Sequence, residues 1–320
     1  MFGIGLYTTN LLVNNSRTTA SEHHPIALGA QKDVSSVYDQ TASSFDAEVG
    51  LSEWLMGITR TRKQLARQCS GDVLEVSSGT ARNLGYYTFG RGKGEVKSLT
   101  LVDLSKEMVE QGKAKWAVLN KNGKRVKHSL GVPVRFMQGD AIGEMPPPPA
   151  PTIADQKADV KGNAQPQQVL GTAKSGYDTV FQTMGLCSTP EPAQLLRNLA
   201  RHLDRSNPEA KILLLEHGRS YYDWMNRILD THAPKHADKH GCWWNRDIGE
   251  IVKESGLEIV KERRKDFGTT WLYELRPSKE IEPAKVVEPA KVVELENEKQ
   301  DSEQTTSAGS SLSSWIPKWG

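Results

Sequence analysis

The chain has 320 residues, 37% of them hydrophobic and 25% charged, which suits one or two domains with a sizeable core. A net charge of +2, from 41 basic and 39 acidic residues, gives no reason to expect a non-specific electrostatic grip on nucleic acid. No apolar run in the sequence is long enough to span a bilayer. Three cysteines at no metal spacing argue against a disulfide framework and for a reducing compartment.

Residues 1–32 are rich in Ser, Thr and Asn, with no acid before Glu22, and are expected to form an unpacked leader. From 33 onward, short β-branched or aliphatic runs at 73–76, 98–102, 134–138, 179–184 and 211–215 read as strands. Amphipathic segments at 106–119 and 193–203 read as helices between them. That alternation predicts βαβ units and a parallel sheet covered on both faces, an α/β Rossmann-like class. A stretch at about 146–176, opening PPPPAP, predicts extended chain at the surface, either a tolerated insertion or a lid. Segments 257–263 and 269–275, with Gly268 between them, read instead as a closing β-hairpin. Residues 277–320 carry EPAKVV twice and then a polar, low-complexity run ending near Trp315 and Trp319. We expect a disordered tail there.

In doubly wound sheets, ligands lie outside the carboxyl ends of the strands. Three of those ends carry an acid: Glu75 before the turn Ser77-Ser78-Gly79-Thr80-Ala81, Asp103 after the second strand, and Asp140 after the third. A small-residue turn lets a ligand rest on main chain and on free N–H groups of the following segment. An acid where Asp103 stands can accept both hydroxyls of a ribose, while Ser105 is better placed to cap the next helix. The turn departs from the G-x-G-x-x-G pattern of nicotinamide sites, which disfavours an oxidoreductase.

The segments LEVSSGTARN (74–83), LTLVDLSKEMV (99–109), FMQGDA (136–141) and YDTVFQTMGLCS (177–188) resemble the successive motifs of class I S-adenosylmethionine-dependent methyltransferases. Their order and spacing are those of the UbiE-like (methyltransferase type 11) branch, and VYDQTASSFD (37–46) is similar to its opening segment. LLLEHGR (213–219) and GCWWNRDI (241–248) add a resemblance to fungal mitochondrial methyltransferase-like proteins of the Oms type. The resemblance covers about 33–276 and implies a seven-stranded sheet in the order 3-2-1-4-5-7-6. It also implies S-adenosylmethionine as cofactor, a small or lipid-like methyl acceptor, and mitochondrial rather than cytoplasmic residence. Carried over residue by residue, Glu75 would support the turn and the methionine amino group, with Ser77 and Gly79 lining the turn. Asp103 would hold the ribose, Leu104 and Met108 would pack on the adenine, and Asp140 and Ala141 would bind its edge. Gln182 would border the methyl donor, and Tyr38 would cover the cofactor.

Ser77 and Ala81 stand where the family has glycine, which leaves a catalytically silent assembly or interaction factor as the rival reading. The Ala81 methyl is tolerable if its φ stays negative. If the acceptor has to lose a proton, His217 at the end of the fifth strand is the candidate base, with Tyr221 and Tyr222 as second choices. Neither nucleic acid nor metal is implied. His232, His236 and His240 with Cys242 lack four-ligand closure, and Pro234 is expected to interrupt their helix. The basic run KERRK (261–265) is expected in a solvated turn, with peripheral contact to anionic lipid as the minority reading. Cys187 at the site's rim reads as packing rather than as a nucleophile.

Overall fold

Alternate residues of each central strand face opposite layers, and the sequence fills both layers with apolar side chains. In the computed structural model, which describes residues 27–121, 132–149, 174 and 176–283, this builds one seven-stranded sheet. Its strands are β1 (Gly71–Val76), β2 (Val96–Asp103), β3 (Val134–Gln138), β4 (Thr179–Thr183), β5 (Lys211–His217), β6 (Glu258–Lys265) and β7 (Thr270–Arg276). The order is β3-β2-β1-β4-β5-β7-β6, as the resemblance implied. The first five strands run parallel, and β7 lies antiparallel between β5 and β6.

Leu74, Val180, Ile212, Leu214 and Trp271 face one layer, with Leu195, Leu196 and Leu199 of helix α5 (Pro192–Arg201) and Ile248 and Ile251 of α7 (Ile248–Ser255). Val73, Leu99, Leu101, Phe181 and Leu213 face the other, against Ile58 and Leu65 of α3 (Ile58–Ala66). Helix α4 (Lys106–Lys121) follows β2, and the Ser105 hydroxyl accepts the Met108 N–H at 3.2 Å at its start. That is the capping role expected of Ser105, and it leaves the Asp103 carboxylate for other donors. Two short helices, α1 (Val37–Thr41) and α2 (Phe45–Leu55), precede α3, and α6 (Asp223–His240) follows β5.

Two expectations are corrected. Pro234 does not interrupt α6, which runs on until Gly241 at φ +68°. A proline inside a helix removes one donor and crowds one carbonyl, a local cost that the buried face of α6 (Met225, Leu229, Ala233 and Ala237) offsets. The KERRK run is strand rather than turn: Arg264 lies over the Tyr221 and Trp271 rings, and Lys261 pairs with Glu274 at 2.8 Å.

Residues outside 33–276 also make packing contacts. Trp243 donates to the Lys32 carbonyl at 3.1 Å, and Ile281 packs on the core beyond β7. At the insertion, Tyr177 donates to the Pro146 carbonyl at 2.8 Å, and Lys174 meets Asp178 at 2.8 Å. The rest of the leader, insertion and tail, including Trp315 and Trp319, lies outside the described residues.

Candidate active site

The turn after β1 bends through three left-handed residues: Ser77 at φ +48°, Gly79 at +53° and Ala81 at +57°. The condition placed on Ala81 is therefore not met: its φ is positive. The Ala81 methyl is buried, and a Cβ at Gly112 of α4 would lie only 3.3 Å from it. A glycine across the packing face gives the methyl its room. At Gly79 an added Cβ would meet nothing within 4 Å, because the position opens on a cavity.

That cavity measures about 1030 Å3 and runs along the carboxyl edge of the sheet. Ser77, Gly79, Asp103, Leu104, Met108, Asp140 and Ala141 line it, with Tyr38 above them. Asp103 accepts the Gly79 N–H at 2.6 Å on one oxygen and the Ser105 N–H at 3.0 Å on the other. Burial raises its carboxyl above the ordinary value, and these two donors oppose the rise. Asp140 accepts the Ile142 N–H at 2.9 Å. The Tyr38 hydroxyl donates to the Gly241 carbonyl at 3.1 Å and pairs with Ser188 Oγ at 2.7 Å, so α1 is latched across the opening.

Glu75 and Gln182 are both fully buried behind the wall rather than in it. Glu75 accepts from Asn83 at 2.8 Å and from the Tyr87 hydroxyl at 2.6 Å, bracing the segment after the turn from below. Burial raises its carboxyl to about 7 despite those donors. The Gln182 amide has no hydrogen-bond partner among the described residues and packs behind Ser77 and Gly185.

His217, the last residue of β5, does line the cavity. Its ring lies beside that of Trp244, with centroids 6.4 Å apart, and its Nδ1 is covered and without a partner among the described residues. Burial holds the imidazole below its usual pKa, so it is neutral at pH 7. The neighbouring Glu216 carboxyl accepts the N–H groups of Gly185 and Leu186, each at 3.1 Å. Tyr221 and Tyr222, the second choices for the base, are not brought to the cavity with His217. Both are exposed and outside the cavity wall, and Tyr221 supports the Arg264 guanidinium. His236 stacks on Trp244 at 3.9 Å, and burial with neighbouring His240 lowers it to about 3.

The sequence reading missed the roof. Glu53 of α2 accepts from Arg62 at 2.8 Å and from Arg82 at 2.9 Å, while Asp46 takes Arg82 at 3.0 Å and Lys115 at 2.6 Å. Arg62 also reaches Thr183 at 2.5 Å, tying α2 and α3 to the end of β4. Asp46 and Glu53 are seven positions apart, two turns of one helix face, which was the available signal.

A glycine turn open to a cavity, an acid closing the next strand and a sheet of this order define a class I methyltransferase domain. The family described as a methyltransferase domain matches residues 53–262, and the chain belongs to it. It is 34% identical over 240 residues to Methyltransferase OMS1, mitochondrial, of Saccharomyces cerevisiae, a match covering 75% of this chain and 45% of that protein. The chain thus spans about half the length of that curated relative. A SAM-dependent methyltransferase from Thermotoga maritima superposes with a TM-score of 0.48 at 12% identity, over 77% of this chain and 100% of that one. One from Aquifex aeolicus gives 0.44 at 14%, over 74% and 97%.

Proposed function

We propose that the chain is an S-adenosylmethionine-dependent methyltransferase acting on a small, largely apolar or lipid-like acceptor, and that it resides in mitochondria. The observation that carries this reading is the cradle in which Gly79 opens on the cavity while Asp103 is bonded to its N–H. The residues fit the cofactor. Asp103 keeps lone pairs for two ribose hydroxyls, Leu104 and Met108 offer an apolar seat for the adenine, and Asp140 and Ala141 lie at that seat's edge. When bound, the cofactor supplies a methyl group already activated as a sulfonium, so alignment and exclusion of water are the protein's task. The Tyr38 latch and the α2 roof serve that exclusion.

The cavity is at the upper end of single-ligand sites, which run to about 1,000 Å3, leaving room for an acceptor beside the cofactor. Its wall also includes Phe45, Leu51, Leu55, Met225, Ile228 and Leu229, which favours an apolar acceptor. His217, neutral and in that wall, takes the acceptor's proton where one is lost. Mitochondrial residence is supported by the relative's name. The silent-factor reading loses its motive, since Ser77 and Ala81 adopt the left-handed geometry of the turn themselves. Residues 27–283 are the proposed extent of the domain.

Calorimetry with S-adenosylmethionine and its demethylated product tests the cofactor. Asp103→Asn keeps an acceptor for one N–H but loses the charge, and charge-assisted bonds are worth roughly 1.5–3 kcal/mol. Affinity should fall by about 10- to 150-fold with the fold intact. Unchanged affinity removes the ribose assignment, and binding of NADH instead would replace the cofactor.

A further inference from the structure

Cys187 follows β4 and Cys242 follows α6, and the fold brings them together in the cavity wall. The Trp243 N–H donates to the Cys187 carbonyl at 3.0 Å, so the two loops are tied at Cys187 and at the residue next to Cys242. Cys187 Sγ lies 3.4 Å from Ser188 Oγ and 3.7 Å from the Met184 carbonyl oxygen, and the ionisation of each thiol feels the other. Arg246 is buried beside them, donating to the carbonyls of Leu186 and Thr189. The third cysteine, Cys69, is sealed in the core with its thiol directed at the Leu65 carbonyl at 3.8 Å. All three are free thiols.

We propose that Cys187 and Cys242 form an oxidisable dithiol site that reacts with hydrogen peroxide or an organic hydroperoxide to give an intramolecular disulfide in the cavity wall. In the first step the Cys187 thiolate attacks the O–O bond. An S–O bond forms, the O–O bond breaks, and hydroxide or alkoxide leaves with a proton as water or alcohol. In the second step the Cys242 sulfur attacks the sulfenic sulfur. The S–S bond forms, the S–O bond breaks, and hydroxide leaves as water with the Cys242 proton. Two thiols are oxidised by two electrons and one peroxide is reduced. The neighbouring Cys242 thiol lowers the Cys187 thiol against the effect of burial, with Ser188 and Arg246 adding to it, while Cys242 is raised. That asymmetry makes Cys187 the attacking sulfur and Cys242 the resolving one. The Tyr38 hydroxyl has its two partners at Ser188 and Gly241, each adjacent to one of these cysteines, so closing the bond acts on the latch.

The test is non-reducing peptide mapping of the reduced full chain after titration with hydrogen peroxide. The expected product has lost two hydrogen masses, links the Cys187 and Cys242 peptides, and leaves Cys69 alkylatable. In Cys242→Ser the reaction should stop at Cys187 sulfenic acid, captured by dimedone, with Cys187 reacting at least ~10-fold faster than Cys69. Three thiols oxidising at one common rate, a linkage between chains only, or no linkage at all would each overturn the site. The wild-type map decides the question even where a variant folds poorly.

Discussion

Ala81 shows how a residue that breaks a local rule is accommodated. A left-handed alanine costs roughly 1–2 kcal/mol. Replacing it by glycine removes that strain but forfeits a buried methyl worth about 0.8 kcal/mol and loosens the unfolded chain by about 0.4–1 kcal/mol. The effects nearly cancel, so Ala81→Gly should stay within about 1 kcal/mol of wild type in urea unfolding. Ala81→Val should lose about 2 kcal/mol or more, because a β-branched residue resists φ +57° and the Gly112 face has no room for it. Valine tolerated without loss would mean the turn relaxes to negative φ. At His217 the expected outcome is kinetic. His217→Gln should keep near-normal cofactor affinity while turnover falls by about 10²–10⁴, the span for losing a general base. Burial lowers the histidine's pKa, so the deprotonated base persists below pH 6.5 and the acid limb of the wild-type rate profile should lie below that value. Normal turnover in the variant would make the ring structural, consistent with its covered Nδ1.

Helix α2 is held over the site by charge, and this is the element the sequence disclosed least. Strands and covering helices announce themselves through periods of two and 3.6, but an ion-pair clamp joins residues with no periodic relation. Glu53 meets Arg62 and Arg82 only because α3 and the turn after β1 converge beneath it. Burial pushes the Glu53 carboxyl up, yet the two guanidiniums outweigh it and hold it below the ordinary value. Lys115, Thr80 and Arg82 do the same for Asp46. A lowered carboxyl stabilises the fold above its unfolded pKa and loses that contribution as pH falls through the folded one. The clamp is therefore complete at pH 7 and releases in the acid range below about pH 4.5. Glu53→Gln should unfold about 3 kcal/mol more easily at pH 7, since it leaves the buried Arg62 without its anion. Its deficit should shrink on acidification. A constant deficit between pH 7 and 3 would show that Glu53 acts by packing alone.

At the scale of the whole molecule, the topology was legible because the last hairpin differs from everything before it. Segments 257–263 and 269–275 are too close for a crossover, and the sheet inserts β7 antiparallel beside β5, as the strand order requires. The Asp103 edge of the cavity was legible for a related reason, since a strand's carboxyl end fixes where the next residue points. Asp103, Asp140 and the Gly79 turn all lie on that edge, while Tyr221 and Tyr222, further from a strand end, do not. Composition was a weaker guide to where packing stops, because a single apolar residue in a polar run can still dock. Ile281 is that case: it packs on the core layer containing Tyr273 and Leu275, and Arg205 donates to its carbonyl at 2.6 Å. Chains ending after Arg276 and after Pro283 should therefore differ, although neither keeps an intact EPAKVV repeat. The shorter one loses a partly buried isoleucine side chain, worth on the order of 1–2 kcal/mol, and one hydrogen bond. For a domain of this size that corresponds to a melting temperature lower by about 3–8 °C. Scanning calorimetry on the two truncations reads the difference directly. Equal melting temperatures would place the end of the folded unit at Arg276, and an equal fall in both relative to the full chain would place stabilising contacts beyond Pro283.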